Sequence, residues 1–136
     1  MTADRRRLRA LRGATTVAHD DSEAIVSATA ELLTQMLERN GVEGDDLVSM
    51  VFTATSDLTA EFPAAAARRI GISHVPLLCA QEIDVPNSVR RCVRVLMHLY
   101  SARDASELRH VYLRGARELR ADLRGDQPKG ELEVEP

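Results

Sequence analysis

The chain has 136 residues, 44% of them hydrophobic and only 3% aromatic, with no Trp and a net charge of −3. That length suits one domain whose core is built from Val, Leu, Ile, Ala and Met, and the weakly acidic balance argues against a general polyanion binder. No apolar run approaches the ~20 residues of a membrane span, and Met1 to Arg9 carries charge without a following apolar run, so it does not read as a secretory signal.

All basic residues but Lys129 are Arg. In an Ala-rich chain codon bias is the simplest account of this; the alternative is that planar guanidiniums are used to grip carboxylates. Arg5, Arg6, Arg7, Arg9 and Arg12 cluster without interleaved aromatics, so nucleic acid is not indicated. Cys79 and Cys92 have no metal-type spacing and read as reduced thiols of a cytoplasmic protein.

In chain order, Leu8 to Val17 ends in β-branched residues and predicts a strand. Asp20 with Glu23 three positions later resembles a capping box, and Ile25, Thr29, Leu32, Leu33 and Met36 recur at helical spacing until Asn40-Gly41. Leu47 to Thr55 predicts a second strand. Pro63 opens a short helix through Ile70, with Gly71 as its stop. Val75 to Ala80 predicts a third strand. Cys92 to Tyr100 fits both a helical stripe and a two-residue alternation; strand is favoured, with both faces partly covered. Ala105 to Arg109 reads as a turn and His110 to Leu113 as a last strand. The expectation is an α/β (α+β-like) domain over 1–124, a mixed five-stranded sheet on one long helix and short helices, then a flexible acidic tail over 125–136. One long helix covers only part of such a sheet, so the remainder implies burial against other subunits.

Candidate chemistry concentrates between Val75 and Arg94. An apolar run ends in Cys79 and Glu82, a Pro/Asn/Ser turn follows, and a second run threaded with arginines brings a cation back towards the acid. A salt bridge, a polar pocket and a catalytic pair all fit. Cys79 with His19, His74, His98 or His110 would make a nucleophile and base, but a small Cys at a strand end reads as packing. Glu82 and Asp84 share a face, either as paired carboxylates or as polar residues at a strand end. No cluster has metal-ligand spacing. Arg12, Arg68, Arg94 and Arg120 on ordered elements, with Tyr112 as a neutral donor and one carboxylate, suit a small dianion that also carries a hydroxyl.

Five stretches then occur in order: Arg12-Gly13-Ala14-Thr15-Thr16-Val17, Ala54-Thr55-Ser56-Asp57-Leu58 with Phe62-Pro63-Ala64, Val75-Pro76 with Cys79 to Val85, Cys92-Val93-Arg94-Val95, and Arg109 to Leu113. Together, across about Leu8 to Leu123, they resemble the monofunctional, trimeric α/β class of chorismate mutases, the AroH class. The resemblance implies the [3,3]-sigmatropic rearrangement of chorismate to prephenate on the route to phenylalanine and tyrosine. It implies no cofactor or metal, no nucleic acid or membrane, and a homotrimeric pseudo-α/β-barrel with active sites between subunits.

By the same resemblance, Arg94 is the central cation beside the breaking ether bond, Arg12 holds a carboxylate near the same oxygen, and Tyr112 hydrogen-bonds a carboxylate. Glu82, with the backbone and thiol of Cys79, receives the ring hydroxyl. Phe62 and Ala64 line the pocket from the neighbouring chain, Arg68 lies at its rim, and Leu119 with Arg120 belongs to a closing segment. Two positions depart from the family pattern. Ala65 stands where a Lys commonly follows Phe-Pro-Ala, and Leu78 replaces a Thr in the substrate-binding run, which implies weaker substrate capture with the chemistry kept. A non-catalytic trimeric ligand-binding or regulatory protein of the same architecture is the alternative.

Overall fold

The computed structural model describes residues 5–119. Its elements are β1 (Arg7–Thr16), α1 (Ser22–Arg39), β2 (Leu47–Ala54), α2 (Ala65–Arg69), β3 (Leu77–Gln81), β4 (Cys92–Ser101) and β5 (Val111–Tyr112), with single-turn 3₁₀ helices at Gly44–Asp46 and Arg114–Ala116. The expected C-terminal tail lies outside the described residues.

The strands form one mixed sheet in the order β3-β2-β4-β1-β5. The central β4 runs antiparallel to both β1 and β2, while the two edge strands are parallel additions, β3 on β2 and β5 on β1. Two flanking partners resolve the double pattern of Cys92–Ser101 in favour of a strand. Val93, Val95, Met97 and Leu99 are buried on one side, and Arg94, Leu96 and Tyr100 stand exposed on the other, as a period of two requires.

Helix α1 covers only the first side. Ile25, Val26, Ala28, Thr29, Leu32, Leu33 and Met36 form its buried stripe; Val26, Leu32, Leu33 and Met36 pack with Leu11, Phe52, Val95 and Met97, and Ile25 and Ala28 with Val17, Leu58 and Val93. β1 comes so close to α1 that a side chain at Gly13 would overlap Met36 and meet Leu32 Cδ1 at 3.1 Å. A glycine there lets sheet and helix touch.

The helix start differs from the expected capping box. Asp21, not Asp20, is the N-cap, and its carboxylate accepts from the Ala24 N–H. Asp20 accepts instead from the Thr59 N–H, the Thr59 hydroxyl and the Ala60 N–H, tying the β2–α2 loop to the helix. The capping-box spacing singles out Asp20, with Glu23 three positions on, but Asp20 is taken up by the loop and the neighbouring Asp21 caps the helix. The third strand also begins later than expected, at Leu77, because Val75 is buried before it and pairing with β2 starts as the Met50 N–H meets the Pro76 carbonyl at 3.1 Å.

At the other end of α1, Asn40 is 2% exposed. Its amide nitrogen donates to the Met36 and Arg109 carbonyls at 2.8 and 2.9 Å, and its carbonyl accepts the Arg109 N–H at 2.7 Å. One side chain thus closes the helix and anchors the strand leading to β5. Net hydrogen bonds contribute about 1 kcal/mol each, and buried groups left unpaired cost more. Asn40→Ala should therefore lower unfolding free energy by about 2–4 kcal/mol, measured by urea denaturation.

Candidate active site

The face of the sheet away from α1 carries the polar groups. Arg94 on β4 lies opposite Thr53 of β2 on one side and Ala14 of β1 on the other. Arg12 follows on the same face of β1, two residues from Ala14. Tyr112 on β5 pairs with Ala14 from the outer side. These groups, with Val51, Thr53, Leu96 and Leu119, line a concavity of about 400 Å³.

Glu82 reaches this face from just beyond β3. Its backbone N–H donates to the Ala54 carbonyl at 3.0 Å, which continues the β3–β2 pairing by one position. Its Oε2 accepts the Thr53 hydroxyl at 2.6 Å and lies 3.0 Å from Arg94 Nε in an ion pair. The acid and cation joined across the turn are therefore a direct ion pair. The Arg94 side chain is 47% exposed, and pairs with that much solvent contribute about 0–1 kcal/mol. A ligand that offers Arg94 a better acceptor can displace the contact while Thr53 still holds Glu82.

The turn itself is fixed by Asp57. Its carboxylate accepts the Arg91 N–H at 3.1 and 3.0 Å and the Thr55 hydroxyl at 2.6 Å. The Thr55 hydroxyl oxygen in turn accepts the Cys92 N–H at 2.9 Å. Burial works to raise the Asp57 pKa, but these hydrogen bonds outweigh it and lower it, so the carboxylate stays charged and keeps accepting. The strand carrying Arg94 thus enters the sheet from a clamped end, even though Asn87 and Arg91 take positive φ values of 68° and 45°.

Burial raises the Tyr112 pKa, an effect opposed by the charges of Arg12 and Arg94. The phenol consequently remains a protonated donor at neutral pH. Burial likewise pushes the Cys92 thiol up to about 11 against the pull of Arg94.

Within one chain the expected site residues fall into two groups. Arg12, Arg94, Tyr112 and Leu119 line the concavity, and Glu82 adjoins it through its contacts with Thr53 and Arg94. Cys79 does not: the parallel register sets it opposite Phe52, and it packs against the α1-side core. The expectation that its thiol joins Glu82 fails inside the chain, because period two sends the side chain to the other face. Cys79 lines instead a second concavity with Ala54, Leu58, Glu61, Phe62 and Pro63. Leu78 is on the open face beside Val51 and 63% exposed. Ala65, the first residue of α2, packs onto the core with Ala64. Arg68 is exposed in the last turn of α2, whose neighbour Arg69 pairs with Glu23 at 2.7 Å. Asp84 belongs to the loop groove at Asp57 rather than to a carboxylate pair. Arg120 lies outside the described residues. Sequence reasoning missed Thr53; its alternation with Val51 was visible, but its place opposite Arg94 required the strand register.

Two guanidiniums, a neutral phenol and one hydroxyl-fixed carboxylate around a concavity define a protein that binds a small, oxygen-rich anion by preorganised electrostatics. Comparison with known proteins makes this specific. The family model described as chorismate mutase type I matches residues 8–123. The chain is 50% identical to chorismate mutase AroH of Thermus thermophilus over 121 residues, covering 88% of this chain and 99% of that protein. It is 42% identical to chorismate mutase AroH of Bacillus subtilis (strain 168) over 117 residues, covering 85% and 92%. A solved chorismate mutase from Clostridium thermocellum superposes with a TM-score of 0.80 at 48% identity, covering 81% of this chain and 98% of that one. The chain belongs to the chorismate mutase type I family.

Since the raised Cys92 pKa keeps that thiol protonated at neutral and mildly alkaline pH, and thiolate is the reactive form, Cys92 should resist iodoacetamide at about pH 8 in the native protein. Peptide mapping should find it alkylated only after denaturation.

Proposed function

We propose that this chain, a chorismate mutase, rearranges chorismate to prephenate at a site completed by a neighbouring copy, with Arg94 as the principal transition-state contact. The observation that carries the reading is the convergence of Arg12, Arg94 and Tyr112 on one concavity, with Glu82 held at its edge by Thr53 and paired with Arg94. Chorismate carries two carboxylates, a ring hydroxyl and an ether oxygen. Arg12 and Tyr112 hold the carboxylates, Glu82 receives the ring hydroxyl, and Arg94 leaves Glu82 to meet the ether oxygen.

A pericyclic step moves no proton and forms no covalent bond to the protein. The protein selects the compact pseudo-diaxial conformer and stabilises negative charge as it builds on the ether oxygen. A ~10⁶-fold acceleration requires about 8 kcal/mol. One preorganised charged donor supplies about 3–4 kcal/mol of this, and orientation much of the remainder.

The second chain supplies what the first leaves out. Phe62, 70% exposed, with Ala64, Leu78, Cys79 and Arg68, forms the complementary wall from a neighbour. Leu8, Leu96 and Tyr100 are all exposed on the α1-free face, which supports burial of that face in a homotrimer. A cytoplasmic location is part of the same proposal, supported by the free thiols Cys79 and Cys92. Among the described residues no helix is long and apolar enough to cross a membrane.

Arg94→Ala should lower kcat by about 10²–10³-fold or more with unchanged circular dichroism, followed by the loss of chorismate absorbance. Near-normal turnover would sink the mechanism, and a parent protein inert to chorismate would restore the binding-protein alternative. The shared site has its own check. Arg94→Ala and Phe62→Asp chains, each inactive alone, should regain activity when co-expressed, because some mixed sites combine an intact Arg94 with an intact Phe62. Absence of any recovery in mixed oligomers would place both residues in one chain's site.

A further inference from the structure

β5 is a two-residue strand, yet it must hold Tyr112 beside Arg12. The β1–β5 ladder consists of Gly13 opposite Val111 and Ala14 opposite Tyr112, with the Leu113 N–H on the Ala14 carbonyl at 2.9 Å. One position earlier the ladder is continued by a side chain. The Arg12 backbone N–H donates to His110 Nδ1 at 2.9 Å. A backbone N–H can only donate, so Nδ1 must be the unprotonated acceptor and the ring proton must sit on Nε2.

We propose that His110 is a positioning residue for the substrate-binding cation: its neutral ring, with Nδ1 as acceptor, fixes the backbone of Arg12 and couples it to Tyr112 two residues further on. The preceding residue is anchored independently, since the Arg109 N–H donates to the buried Asn40 and its carbonyl accepts from the same side chain. His110 is thus held from the α1 side and in turn holds Arg12 on the open side. Its environment keeps the ring neutral. Burial, then the positive charge of Arg12, pulls its pKa from 6.5 down to about 4. The folded chain therefore holds the acceptor form across the interval in which a free imidazole would become a double donor.

The role rests on the reading of Arg12 as a substrate contact, and the test separates the two. Nitrogen-15 spectra of the imidazoles should show His110 Nδ1 as an unprotonated acceptor from about pH 8 to about pH 5. A protonated Nδ1 in that range overturns the proposal whatever the kinetics. His110→Phe should raise KM for chorismate about tenfold, with a smaller change in kcat, whereas His110→Asn, which offers an oxygen at the place of Nδ1, should stay within about threefold of the parent. Raised KM in Arg12→Ala beside a parent-like His110→Phe overturns the positioning role alone. Unchanged KM in Arg12→Ala overturns the assignment of Arg12 itself and the role with it. Should His110→Phe fail to fold, the Asn variant and the nitrogen spectra decide: a parent-like KM and a bare Nδ1 support the role, and a KM raised as in Arg12→Ala refutes it.

Discussion

The antiparallel register of β4 between β1 and β2 is the constraint on which the rest depends. It puts Val93, Val95, Met97 and Leu99 under α1 and Arg94 on the opposite face, between Ala14 and Thr53. A slip of one residue would exchange these sets. Arg94 would then be driven into the apolar core, where an unpaired charge costs several kcal/mol, and four apolar side chains would be exposed. The clamp at Asp57, Thr55 and Cys92 fixes the first residues of β4 and so selects this register locally as well. Fold stability and placement of the site are consequences of the same pairing.

The local electrostatics run against the chain's overall sign. A net charge of −3 coexists with a concavity lined by Arg12 and Arg94 and, among the described residues, by no carboxylate, Glu82 adjoining it through Thr53 and Arg94, so the pocket attracts anions although the molecule as a whole does not. The groups are tuned by burial and by neighbours. Tyr112 is kept protonated by burial, and Glu82 is oriented by Thr53, whereas the half-exposed Arg94–Glu82 contact is weak enough to exchange for a ligand. That combination of a fixed donor, a fixed acceptor and a releasable cation suits a reaction whose charge appears on an oxygen midway through and disappears afterwards.

Much of this was legible in the chain. The helix stripe from Ile25 to Met36, the alternation around Arg94 and the return of Arg94 towards Glu82 all follow from local periodicity and turn chemistry. The helix cap lies one residue beyond the capping-box position because Asp20 is engaged by the distant Thr59 and Ala60, which leaves Asp21 to cap. Cys79 was expected beside Glu82 and faces the other way, since the sequence fixes which residues alternate but not which set meets the helix. The alternation of Thr53 and the strand containing His110 were visible, but the roles of the two residues were not. Each acts through a partner far away in sequence, Thr53 on Glu82 and His110 on Arg12.

The sequence by itself therefore determined the order of elements, the amphipathic helix and, through five ordered stretches, membership of the chorismate mutase type I family, because these depend on neighbours a few residues apart. Only the tertiary structure decided which face of the sheet each side chain occupies, that Arg94 pairs with Glu82 under the hold of Thr53, and that a neutral imidazole extends the short β5 ladder to Arg12. Those outcomes depend on strand register and on burial. Both are settled by which face α1 covers, a choice made by the whole packed core rather than by any local stretch of chain.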